Sequence, residues 1–219
     1  MQSISSAAEH GTPEAVSRLR LELQRRGIDL VYCANAAAAL EYLLSRIPAG
    51  ATVMNGGSHT LEQIGLPAAL AAGPYKWLRP PIKAINDAGE RTRARRQAGT
   101  ADYFLGGINA ITESGEILNA DGSGTRVAAY AYGAGKLFLV CGINKIVPDL
   151  AGAFERLRNE AAVQECRRLG ANTPCAATGQ CDNEACRGPG RQCGKVLIIE
   201  NEKISGRICV VMIGASLGY

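Results

Sequence analysis

Four cysteines, Cys175, Cys181, Cys186 and Cys193, fall within nineteen positions and are separated by five, four and six residues. Four thiolates this close in sequence can reach one tetrahedral Zn²⁺ or one iron–sulfur cluster. The spacing matches neither the paired CxxC zinc site nor the ferredoxin run, so iron–sulfur and zinc both stay open. Arg187 and Arg191 lie among these cysteines, where positive charge lowers a thiol pKa or balances a thiolate-rich centre. Without a metal, the same segment reads as a flexible loop of free thiols. The metal reading is favoured, because clustered exposed thiols oxidise readily. Cys166, on a helix before the loop, is a candidate extra ligand. Cys33, Cys141 and Cys209 sit in apolar runs, where free cysteine behaves as a small hydrophobe.

A second kind of chemistry follows strand ends. Asn55-Gly56-Gly57-Ser58-His59-Thr60 comes directly after an apolar strand. Its glycines permit close backbone approach, and the following helix start offers free N–H groups to an anion, carboxylate or phosphate. It matches neither the Walker sequence nor GxGxxG, and it also reads as a tight turn capped by Ser58 or Thr60. Gly106-Gly107-Ile108-Asn109-Ala110 leads on to Asp121-Gly122-Ser123-Gly124-Thr125-Arg126. The latter is a turn by its residue types; alternatively, Asp121 is aimed into a site with Arg126 available to pair an acidic substrate. Gly142-Ile143-Asn144-Lys145 places a lysine just past a third strand, as a functional cation or a solvated end. His59 could act as a general base or metal ligand, but no second histidine lies near it in sequence. His10 is expected to be inert. The run Arg91, Arg93, Arg95, Arg96 lacks interleaved aromatics, so it reads as a solvated helix face and not as a nucleic-acid surface.

These residues need a scaffold. The 219 residues fit one ordinary domain, 47% apolar and 20% charged, which excludes a largely disordered chain. Lys and Arg number 24 against 20 Asp and Glu, too small a surplus to argue for nucleic acid. No apolar run approaches the ~20 residues of a membrane span. MQSISSAAEHGTPEAV has no basic or apolar leader region, so a cytoplasmic, reducing location is expected.

The expected first helix is Pro13 to Arg26, with Thr12 as N-cap and Gly27 as its stop. Strands are expected at 28–34, 51–54, 103–105, 137–141, 195–200 and 207–213. Helices are expected at 36–46, 60–64, 82–98, 126–132 and 149–169, Gly65 and Pro67 interrupting the second of these. Residues 108–120 read as a loop with short extended pieces. Strands alternating with helices predict an α/β fold with a mostly parallel sheet, in which ligands bind at the carboxyl ends of the strands.

The stretches MNGGSHTLEQIGL, ADYFLGGINAITESGEILNADGSGTR and LFLVCGINKIVPDLAGAFERLR, in that order, resemble the lactate-utilisation, or LUD-domain, family. The resemblance covers about residues 14–215. The ending TPCAATGQC…C…RQC is similar to the cysteine-bearing branch of many anaerobic bacteria and archaea. The middle cysteines there are usually closer; here Asp182-Asn183-Glu184-Ala185 separates Cys181 from Cys186. The resemblance implies a single domain over 1–219, with the N-terminal helix inside 1–27 and the cysteine loop, 172–194, inserted before the last strands. It also implies a fold similar to the NagB, ribose-5-phosphate isomerase and CoA-transferase group. The motif positions carried over as substrate-binding are Gly56, Gly57, Ser58, Thr60, Glu62, Asn109, Asp121, Gly122, Asn144 and Lys145.

What the resemblance implies of function is a subunit or accessory of a system oxidising L-lactate to pyruvate, working with iron–sulfur partner subunits. Such a chain binds a small carboxylate or phosphate-bearing ligand and holds iron–sulfur or zinc at its cysteines. No flavin or dinucleotide fingerprint is present, so a self-contained dehydrogenase is not expected, and whether the chain is itself an oxidoreductase stays open. The alternative is a non-redox binding or regulatory module with structural zinc. A third reading, an isomerase or acyl-CoA transferase, rests on fold analogy; a transferase would need a nucleophilic carboxylate, for which Glu62 and Glu113 are the loop-adjacent candidates. A homo-oligomer is compatible with all three.

Overall fold

The computed structural model describes residues 14–219. The strands are β1 (Asp29–Cys33), β2 (Thr52–Asn55), β3 (Lys76–Trp77), β4 (Tyr103–Gly107), β5 (Ala110–Thr112), β6 (Ile117–Asp121), β7 (Lys136–Gly142), β8 (Ile146–Val147), β9 (Lys195–Ile199) and β10 (Ile208–Ile213). The helices are α1 (Glu14–Arg25), α2 (Ala36–Ser45), α3 (His59–Gln63), α4 (Leu66–Ala72), α5 (Arg79–Ala84), α6 (Ala88–Gln97), α7 (Thr125–Ala128), α8 (Leu150–Arg156), α9 (Ala162–Arg168) and α10 (Pro174–Thr178). Thr12, Pro13 and His10 lie outside the described residues.

Six strands form one sheet in the order β1-β10-β7-β4-β2-β3, every neighbouring pair parallel. The expected α/β class is therefore the observed one. Central β10 is buried along all six residues, and β7 along all but its first. Both faces of a parallel sheet are covered, which is why these strands are continuous apolar runs. Val16, Leu19 and Leu23 of α1 pack with Leu137 and Leu139 on one face. Leu43, Leu61, Leu66 and Leu70 pack with Phe138, Val140 and Val211 on the other. Each fully buried leucine is worth about 2 kcal/mol of transfer free energy.

Four departures from the sequence expectation bear on the site. The helix after β2 ends before Gly65 as expected, but a second helix, α4, follows at once. Gly65 takes a left-handed turn (φ 76°), and Pro67 sits in the first turn of α4, where its missing N–H costs nothing. The basic stretch at 82–98 is two helices, because Asp87 caps α6 by accepting from the Glu90 N–H at 2.6 Å. The long helix expected at 149–169 starts where foreseen, on the Asp149 cap, but widens into a π-helical turn at Leu157–Ala161 between α8 and α9. Residues 108–120, read as a loop, form the antiparallel pair β5–β6. With β8 and β9 these make a second, four-stranded sheet, β8-β5-β6-β9. Among the described residues no helix is long and apolar enough to cross a membrane.

Candidate functional site at the strand ends

The parallel register brings the carboxyl ends of β2, β4 and β7 side by side. A narrow cleft of about 60 Å³ opens there, lined by Ser58, Thr60, Gly107, Asn109, Arg126 and Lys145 among others. Ser58 caps α3, its Oγ accepting from the Leu61 N–H at 3.4 Å, so the turn reading and the cleft reading both hold. Gly107 is required beside it, because a Cβ there would meet Ser58 Oγ at 2.7 Å.

Lys145 is the one lysine buried among the described residues. Its Nζ donates to the main-chain oxygens of Ile108 and Tyr219, both at 3.0 Å. An ammonium has three donors, so one N–H has no protein acceptor among the described residues. Burial, followed by the charges of Arg156 and Arg126, pushes its pKa down to about 8. Arg156, also buried, donates to the carbonyls of Asn144 (3.1 Å) and Asn109 (2.7 Å), fixing both loops.

The two asparagines serve the walls of the cleft. Asn109 Oδ1 accepts from Ala120 N at 2.7 Å, and Asn144 Oδ1 accepts from Leu217 N at 3.1 Å. Sequence reasoning missed Tyr219, whose ring stacks on His59 at 5.3 Å and whose hydroxyl donates to Glu165 Oε2 at 2.6 Å. His59 thus lines the cleft through its ring; its Nδ1 stands 3.7 Å from Glu62. Glu62 itself does not line this cleft. It is 3.9 Å from Arg168 and borders a separate hollow with Trp77 and Arg79.

A larger cavity of about 500 Å³ adjoins, sharing Gly57, Arg126 and Glu165 with the first and taking in Gly56, Asp121 and Gly122. Asp121 spends its carboxylate on the turn, accepting from the N–H groups of Gly124 (2.8 Å) and Arg126 (3.1 Å). Burial opposes its charge, but these donors and the Arg126 guanidinium hold its pKa below the usual range. The basic helix α6 buries no residue, as a solvated face would, but Arg91 and Arg95 also line this cavity; Arg95 donates to the hydroxyls of Ser123 and Thr125, each at 3.2 Å. Their i,i+4 spacing was the readable signal, because it sets both on one face of α6.

The cysteines divide as their sequence surroundings suggest. Cys33, Cys141 and Cys209 are buried in the parallel sheet, and burial pushes Cys141 up to about 12 and Cys209 up to about 11. Of the other five, Cys166 lies in α9, Cys175 in α10, and Cys181, Cys186 and Cys193 in the loop that follows; all eight are free thiols. Cys166 and Cys175 share an apolar cluster with Val163. Burial first, then the neighbouring Cys193 and Cys175, raise the thiols of Cys181 and Cys186; Cys166 is raised by burial and then by its neighbour Cys175. Arg191 donates to the Cys186 carbonyl at 3.3 Å and to Asn183 Oδ1 at 2.7 Å, whereas Arg187 turns away to pair Glu184. Five thiols flanked by guanidinium are suitable donors for a soft metal or cluster. Among the described residues, however, no three His, Cys, Asp or Glu side chains are arranged to hold one ion.

The class of fold is thus a parallel α/β sheet with clefts lined by basic side chains at the carboxyl ends of its strands. Within that class, the sequence model of the LUD domain matches residues 16–213, and the chain belongs to the LUD-domain family. A solved DUF162 family protein from Deinococcus radiodurans is 13% identical, with a TM-score of 0.47, over 92% of this chain and 97% of that one. No curated protein matches the chain.

Proposed function

We propose that this protein is a subunit or accessory of a lactate-oxidising system, holding a small carboxylate in the narrow cleft and a metal centre on its cysteine loop. Family membership supports a lactate-related role. The observation that carries the ligand half is Lys145, a buried cation with one donor free and Ser58, Thr60 and Arg126 around the same carboxylate-sized space. A carboxylate there gains a charge-assisted hydrogen bond in a site of low dielectric.

Cys175, Cys181, Cys186 and Cys193, with Cys166 behind them, would hold the metal centre, the loop adjusting to converge its thiols. Bound there, an iron–sulfur cluster supplies one-electron transfer. Oxidation of lactate to pyruvate releases two electrons and two protons, which the partner iron–sulfur subunits must take up. Purified without oxygen, the chain should carry iron and acid-labile sulfide, bind L-lactate, and reduce a dye with lactate only when partner subunits are added. Dye reduction by the chain alone would contradict a subunit role.

The burial of Cys166 and Cys175 together against Val163 favours a second reading, a non-redox binding module whose zinc pins the loop to α9. It predicts a colourless protein with stoichiometric zinc, in which chelation frees residues 172–194 and leaves the sheet intact.

A further inference from the structure

We infer that the larger cavity is a second ligand site, built for an organic di- or polyphosphate and distinct from the carboxylate cleft beside it. The inference does not depend on the lactate reading. It rests on an imbalance of charge. Arg79, Lys83, Arg91, Arg95 and Arg126 line a space of about 500 Å³ that holds only two carboxylates, Asp121 and Glu165. Those two are already satisfied. Asp121 is taken up by its turn and by Arg126, and Glu165 pairs Arg168 at 2.7 Å.

Arg79, Lys83, Arg91 and Arg95 therefore face the cavity with no carboxylate at ion-pair distance among the described residues. Their other contacts are neutral: Arg79 donates to the Asn55 carbonyl at 2.8 Å, Arg91 to the Ile85 carbonyl at 2.8 Å, and Arg95 to two hydroxyls. Burial weakens the hold of Arg79 on its proton; Glu62, beyond ion-pair distance, opposes this, and the charges of Arg168 and Arg95 add to it. Like charges collected around one cavity repel one another until an anion joins them. A lone carboxylate neutralises one of four, while a diphosphate carries enough charge and enough acceptors for the set. Met54, Ile82, Phe104 and Leu169 supply an apolar wall for the organic body, and the volume suits a ligand of nucleotide size.

The test is calorimetric titration of the full chain with inorganic phosphate, inorganic pyrophosphate and ADP, repeated on Lys83→Ala/Arg95→Ala. Both substituted side chains are solvent-exposed, so the fold is retained. Pyrophosphate should bind at least about tenfold tighter than phosphate, ADP tighter still, and the double variant should lose at least about tenfold for both. Affinity should also fall steeply between about 50 and about 300 mM salt. Equal affinity for phosphate and pyrophosphate, or affinity unchanged in the variant, would overturn the inference, as would tighter binding of a short oligonucleotide than of ADP. Lactate binding, governed by Lys145, should survive the double substitution, so the two sites fail separately.

Discussion

Lys145 Nζ donates to the carbonyl of Ile108 at 3.0 Å, tying the turn after β7 to the loop after β4. That bond sets a cation where two parallel strands end, and the folding of the sheet is what carries it there. The Tyr219 ring, stacked on His59, lines the same cleft. Burial makes the ammonium both costly and strongly attractive to an anion.

A pH dependence follows. The Lys145 pKa is about 8 in the folded chain, below its ordinary 10.5. Below about 8 folded and unfolded chains both hold the proton, and the full cost of burying the charge is present. Between about 8 and 10.5 the unfolded chain binds the proton that the folded chain has released, so this group's contribution to stability rises with pH. Carboxylate affinity should move the opposite way, falling as pH rises through about 8. Titrations of L-lactate across that window check it; a flat profile would remove Lys145 from the cleft's chemistry.

Gly107→Ala should damage the carboxylate cleft more than the fold. The new Cβ would meet Ser58 Oγ at 2.7 Å, displacing the cap of α3. Loss of an N-cap bond costs about 1 kcal/mol. Urea unfolding should register that loss, and lactate affinity should drop severalfold. Unchanged affinity would mean that Ser58 does not touch the ligand.

Glu116 governs part of the acid limb of stability. Burial opposes its charge, but hydrogen bonds from Ser114 and Thr112, its own backbone N–H and the Arg26 guanidinium at 2.7 Å hold its pKa down to about 2. This stabilisation is complete above 4.5, the ordinary value, and is lost as pH falls towards about 2. Glu116→Gln should cost about 1–3 kcal/mol near neutral pH and flatten stability over the acid window, seen as urea midpoints against pH. An unchanged acid limb would show that other carboxylates dominate it.

Cys175 and Cys193 are the two whose charge bears on the thiols of Cys166, Cys181 and Cys186, and they should matter most to metal. Cys193→Ser or Cys175→Ser should strip most of the metal from anaerobically prepared protein, whereas Cys141→Ser, deep in the sheet, should leave metal content alone. Full metal in Cys193→Ser would remove that residue from the ligand set. Chelation should melt the loop at 172–194 with little change in the sheet, read by circular dichroism and limited proteolysis.

The parts legible in the sequence were those whose cause is local. β7 and β10 are continuous apolar runs because both their faces are covered, and Gly56 and Gly57 mark the turn after β2. Ser58 capping α3 and Asp149 capping α8 were readable for the same reason. Pairings across long separations were hidden. β6 finds its other neighbour in β9, nearly eighty residues later, and nothing within 108–120 announces that edge. The cavity-facing side of the basic helix was hidden because solvated and cavity-facing arginines have the same local pattern; only the turn at Asp121–Thr125, packed opposite, separates Arg95 from Arg93. Tyr219 carried no signal, since its role exists only through His59 and Glu165.

The most direct test is calorimetric titration of L-lactate into the wild-type chain and Lys145→Met at about pH 7, where the lysine is charged. Saturable binding by wild type, weakened at least about tenfold in the variant while its thermal unfolding stays cooperative, is the predicted result. No binding by wild type, or equal binding by both proteins, would contradict a carboxylate site at the strand ends.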